Sequence, residues 1–235
     1  MADESAKPTP DEHAKAVEHL KADELARLAR IEGKLGVPHG YYQSLLENGS
    51  DWEFAIKLVV LLEAALGAVI AAKLQNDVMR EHCDRLNLVG RTGKLDLAVG
   101  LEALKPVEAS SFAILAEVRN RFAHRVENIN SNLETFARSL PKGDLPRYLR
   151  TVMMVPKESQ KEVEFLWASE HAPRLFRHVL WTGGSMVLDA LATQDAKAEA
   201  EAKRRGWWTS GAKRQWTLKD LFEVGHASAT NDTKK

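Results

Sequence analysis

Residues 52–75, WEFAIKLVVLLEAALGAVIAAKLQ, are apolar on nearly every face of a helix. A helix of that kind is stable as the buried centre of a bundle, so this segment demands that other helices surround it. Ser50 or Asp51 stands where a cap for its first turn is needed. One carboxylate interrupts the apolar run: Glu63 lies in its middle, where an unpaired charge would be costly. A basic or hydrogen-bonding partner is therefore expected for Glu63.

The rest of the chain supplies the surrounding helices. Alanine, leucine, glutamate, lysine and arginine dominate, all good helix formers, whereas eight prolines and fourteen glycines are too few for a turn-rich β fold. Asp11 is placed to cap a helix through Leu20, Leu25 and Leu28 that ends near Gly33, and Gly36 to Gly40 forms a break. Tyr41 to Leu46 reads as a short turn, Met79 to Leu88 as a short helix and Gly90 to Gly93 as a turn. Lys94 to Leu104 reads as a helix closed by Lys105-Pro106. Ser110 or Ser111 then caps a helix through SFAILAEVRNRFAHRVENIN. After a turn or two over Glu134 to Leu140, Pro141 to Pro146 reads as an irregular connector. A second helical stretch runs from Glu158 to about Thr193, with Pro173 kinking or dividing it. Gly183-Gly184 within it signals close helix packing or a local break, and Asp195 to Arg205 continues as a charged helix.

The fold class expected is therefore all-α, with no repeat, no alternating strand pattern and no glycine-rich phosphate loop. The expected organisation is a disordered segment over 1–10, a helical bundle over 11–140, additional helices packed on it over 141–195, and a charged, tryptophan-rich extension and disordered tail over 196–235.

Charge and cysteine content narrow the function. The formal net charge is zero, which argues against coating of duplex nucleic acid and leaves only a local patch for a polyanion. The single cysteine, Cys83, cannot form an internal disulfide or a cysteine-based zinc cluster. His171 and His178 lie seven residues apart with no third ligand, so no metal and no cofactor are expected. The N-terminal residues are polar and acidic, unlike a secretory signal, and the apolar run from Ala64 to Ala72 is too short to span a bilayer. The expected location is cytoplasmic, with no membrane association.

The chemistry is concentrated in Arg119-Asn120-Arg121-Phe122-Ala123-His124. On a helix, Asn120 and His124 point the same way at i and i+4, while Arg119 and His124 lie roughly 140° apart. Two such helices packed across a two-fold axis bring both sets of side chains into one cleft. A histidine that is neutral near pH 7 can take a proton from a ribose 2′-hydroxyl or give one to a leaving oxygen. An arginine can clamp a phosphate and offset transition-state charge, and Asn120 can orient either group. This set needs no metal.

RNRFAH resembles the Arg-polar-x3-His signature of HEPN domains, which follows an apolar run late in a helix as FAILAEV does here. LLEAALGAVIAAKL and GKLDLAVGLEAL resemble the two preceding helices of the mannitol-repressor-like branch of that superfamily. The resemblance covers roughly residues 51–130. It implies a HEPN-like helical bundle with a helical C-terminal extension, a homodimer, and a metal-independent endoribonuclease of the toxin–antitoxin or defence kind. By position it makes Arg119, Asn120 and His124 the active residues, and Glu63 the acidic support of the motif arginine. It equally implies a non-catalytic, mannitol-repressor-like regulatory protein whose partner is another protein.

Plainer readings stand beside these. Arg119 can be an ion-pair partner of Glu63 or Asp96, with His124 satisfied at a dimer seam. Asp96 is a supporting carboxylate or a solvated capping group. Between 119 and 150, seven basic residues face three acidic ones, so Arg121 and Arg125 are candidates for an RNA backbone or members of a solvated face. The tail, with Lys203, Arg204, Arg205, Trp207, Trp208, Lys213, Arg214 and Trp216, suits stacking on unpaired bases or anchoring to a protein surface. An antitoxin or defence partner that uses this tail is a third reading.

Overall fold

The computed structural model describes residues 10–76, 78–123, 129–141, 143–159 and 171–204. Among the described residues, nine α-helices and one short 3-10 turn make up the regular structure, and no strand occurs. The chain is all-α. The helices are α1 (Pro10–Leu35), α2 (Tyr41–Glu47), α3 (Asp51–Leu74), α4 (Val78–Arg85), α5 (Lys94–Gly100), α6 (Pro106–Ala123), α7 (Leu133–Ser139), α8 (Asp144–Val152) and α9 (Phe176–Arg204).

The apolar segment is the central helix. Phe54, Leu58, Leu62, Leu66 and Ile70 of α3 are all fully buried, and α1, α2, α4, α5 and α6 pack against it. The Ser50 hydroxyl accepts the Glu53 N–H at 3.2 Å, capping the first turn. Taken whole, α3 is long and apolar enough to cross a bilayer, unlike the shorter run weighed from sequence; about two-thirds of its most apolar window is buried inside the protein.

Buried polar groups fix how the outer helices meet. Glu32 of α1, itself buried, accepts the backbone N–H groups of Gly40 and Tyr42 at 2.8 Å each, and so caps α2, whose own N-cap residue is Gly40 and has no side chain to do so. The α1 cations run beside the α9 carboxylates in the same direction. Arg27 pairs with Asp189 at 2.5 Å, Arg30 with Glu199 at 2.6 Å, and Lys34 with the buried Asp195 at 2.7 Å. Arg177 at the start of α9 donates to the carbonyls of Leu45 and Asn48 at the end of α2, and to Asp51 at 2.7 Å.

Several boundaries differ from the sequence expectation, each for a local reason. Pro106 opens α6 instead of closing the previous helix. Proline suits a first helical position because its missing N–H would have no partner there, and Glu108 reaches back to the Lys105 N–H at 2.7 Å. The expected connector over 141–146 ends in a helix, α8, because Pro146 falls in its first turn. Pro173 lies in the turn before α9, so the stretch expected to run from Glu158 to Thr193 does not continue as one helix through it, and residues 160–170 of that stretch lie outside the described residues. Gly183 and Gly184 lie within an unbroken α9, where a Cβ at Gly183 would sit 2.2 Å from Val152 Cγ1, and one at Gly184 2.7 Å from the Tyr42 hydroxyl oxygen. Close packing is their role.

The compact unit spans Met1–Glu199, so α8 and the body of α9 share one core with α3 through Tyr148, Leu149, Val152, Phe176, Leu180 and Leu188. A second unit is formed by Ala200–Lys235, of which residues 200–204 are described.

Candidate functional site

Three helices place charged side chains around one carboxylate. Glu63 projects from the middle of α3, where its neighbours Leu62 and Leu66 are fully buried. Arg119, late in α6, donates from Nη2 to Glu63 Oε1 at 2.8 Å. Lys94, the first residue of α5, brings its ammonium to 3.8 Å from Glu63 Oε2. The Arg119 and Glu63 side chains are each 27 % exposed, whereas that of Lys94 is 4 % exposed. One carboxylate is thus shared by two cations, one at the surface and one beneath it.

The position of Lys94 follows from the loop before it. Its N–H donates to the Asn87 carbonyl at 2.9 Å, and the Leu95 N–H donates to the Leu88 carbonyl at 3.1 Å. That return requires Gly93, where a Cβ would lie 2.9 Å from the Leu88 oxygen. Lys94 then shares a buried face with Leu95 and Ala98. Sequence reasoning missed this lysine. The available signal was its helical phase, since Lys94 and Ala98 are i and i+4 on a face that must be apolar.

The other motif residues divide. Asn120, next to Arg119, is exposed on α6. His124 and Arg125 lie outside the described residues. Arg121 points away from Arg119, roughly 200° around the helix, and joins a separate cluster between α6 and α8. There it donates to Asp144 at 3.0 Å and to the Tyr148 hydroxyl, while Tyr148 donates to Glu117. Arg147 completes the group, pairing with Glu117 at 3.3 Å and lying 4.7 Å over the Tyr148 ring. Burial, reinforced by the bond to Glu117, pushes the Tyr148 hydroxyl up to about 12, against the opposing pull of Arg121. Arg121 and Arg147 therefore carry their own counter-charges.

Of the two carboxylates weighed for Arg119, Glu63 is the one it meets. Asp96 is exposed in the first turn of α5 and forms no ion pair among the described residues. His171 and His178 are both exposed, one in the turn before α9 and the other on it. No group of three or more metal-ligating side chains occurs among the described residues.

Chemically, the Glu63–Arg119–Lys94 group carries one negative and two positive charges. It is suited to holding an oxyanion at Arg119, beside the exposed amide of Asn120. No family model, no curated protein and no solved structure matches this chain.

Proposed function

We propose that this chain is a HEPN-like, metal-independent endoribonuclease that acts as a homodimer. The observation that carries the reading is the placement of Arg119, held by Glu63 yet with part of its guanidinium side chain open to solvent beside exposed Asn120. In this reading a phosphodiester binds at Arg119, which offsets the charge that grows on the equatorial oxygens. His124 takes the proton of the ribose 2′-hydroxyl as the 2′-oxygen attacks phosphorus. The bond to the 5′-oxygen breaks, and that oxygen leaves with a proton given by a protonated His124 of the two that the dimer brings to the cleft. The products are a 2′,3′-cyclic phosphate and a 5′-hydroxyl. Asn120 orients the phosphate or the imidazole, and the dimer brings two copies of the motif into one cleft.

A second reading, a mannitol-repressor-like regulatory protein without catalysis, draws on a different observation. Arg121, the other motif arginine described, is committed to Asp144 and Tyr148 within the bundle, as expected of residues that hold a structure together.

Labelled RNA incubated in EDTA with wild type and with His124→Ala, both shown to be folded and dimeric, separates the readings. Cleavage by the wild type alone, with cyclic phosphate ends, is expected for the ribonuclease. Intact RNA with both proteins, across several substrates, would transfer the motif to the regulatory reading.

A further inference from the structure

We propose that Lys94 is a positioning residue for anion binding: it takes over Glu63 when an oxyanion takes Arg119. The inference rests on the reading above, in which Arg119 receives a phosphate group of RNA, and it assigns the lysine to the same site.

The argument begins with charge. Glu63 lies 2.8 Å from Arg119 and 3.8 Å from Lys94, and no other carboxylate among the described residues lies within 4.0 Å of either cation. Two cations share one anion in a half-buried place, an arrangement that leaves a positive charge without its own counter-ion among the described residues. Arg119 shows the same surplus. Its bond to Glu63 uses Nη2, while Nε is buried and meets no acceptor among the described residues. A guanidinium offers several donors along a rigid fork, so one bond to Glu63 does not exhaust it, and a phosphate oxygen is a natural acceptor at the part of the side chain that is open to solvent.

A phosphate arriving there meets an obstacle. The Glu63 carboxylate, already bonded to the same guanidinium, repels it. Lys94 removes that obstacle without touching the ligand. Its ammonium sits on the Oε2 side of Glu63, opposite the oxygen that Arg119 uses, and its flexible stem can close the 3.8 Å gap. Backbone bonds at Asn87 and Leu88 hold the start of α5, so the lysine stays at the carboxylate. Burial also keeps salt from screening it.

The test measures binding of a single-stranded 2′-O-methyl RNA, which lacks the attacking hydroxyl, with inorganic phosphate as competitor. Lys94→Met should weaken binding by about tenfold, while in a Glu63→Gln background the same change should shift it by less than about twofold, because no carboxylate remains to be neutralised. Unchanged binding by K94M overturns the proposal, and so does an equal loss in both backgrounds, which would mean direct contact with the ligand. Should K94M not fold, K94Q replaces it. K94Q is close to lysine in length and carries no charge, so the same two outcomes apply to it. The two readings fail separately. RNA cleaved by the wild type but bound equally by K94M sinks the role of Lys94 alone. No RNA binding, with Lys94-dependent binding of inorganic phosphate, sinks the ribonuclease and leaves an anion site for a free phosphate. Binding of neither probe sinks both.

Discussion

Arg119 and Glu63 stand 56 residues apart in the chain and 2.8 Å apart in the fold, with Lys94 on the far side of the same carboxylate. The three charges predict an asymmetry between single variants. Arg119→Ala leaves Glu63 with a buried cation beside it, so the cost of losing this half-buried pair should be only about 1 kcal/mol. Glu63→Ala leaves two cations, one of them buried, without a counter-charge, and should cost about 2 to 3 kcal/mol. E63A/K94M should recover part of that loss. Urea unfolding measures all three, and an R119A as unstable as E63A would contradict the arrangement.

Tyr148 yields a pH prediction. Its hydroxyl is raised from 10.0 to about 12 in the folded protein, chiefly by burial and then by its bond to Glu117. The folded state therefore binds this proton more tightly than the unfolded chain does. Its contribution to stability is complete below pH 10 and is lost as pH rises from 10 to about 12. Titration of phenolate absorbance should show Tyr148 ionising above an ordinary tyrosine, and Tyr148→Phe should remove that alkaline component. A normal titration for all tyrosines would refute the cluster.

The sequence made the central helix legible because a long segment apolar on all sides has only one stable place. The same argument made a partner for Glu63 necessary, though not which cation would serve. Lys94 escaped because a lysine beside a glycine turn reads as surface; only the fold back of Asn87 and Leu88 onto α5 buries it. Helix α8 escaped because two prolines were read as breakers, whereas Pro146 falls in the first turn, where no N–H is missed. The cluster of Glu117, Arg121, Asp144 and Tyr148 joins α6 to α8, with α7 between them in the chain; the i,i+4 spacing links Glu117 to Arg121, but nothing local brings the α8 residues to them.

Gly183 makes a packing prediction. A Cβ there would meet Val152 Cγ1 at 2.2 Å and the Val152 carbonyl oxygen at 2.8 Å. Gly183→Ala should destabilise the protein by about 2 to 3 kcal/mol, even though alanine is the better helix former. Val152→Ala should rescue it only in part, because the backbone oxygen remains in the way. A neutral or stabilising G183A in thermal unfolding would show that α9 does not lie this close to α8.

Arg177 ties α9 to α2 and α3 through one guanidinium, and Asp51 extends the junction to α7. It donates to the carbonyls of Leu45 and Asn48 at the end of α2 and to Asp51 of α3, while lying 4.8 Å over the Phe54 ring. Asp51 in turn accepts the Leu133 N–H at 2.6 Å, which fixes the start of α7. A cation at the end of α2 also meets the negative end of that helix dipole. Arg177→Ala leaves Asp51 and the α2 carbonyls without this donor, and should cost about 2 to 3 kcal/mol in urea unfolding. Arg177→Lys should recover less than half of this, because an ammonium cannot reach a carboxylate and two carbonyls with the geometry of a planar fork. If lysine restores full stability, charge alone is what matters at this junction and the forked hydrogen bonds contribute little.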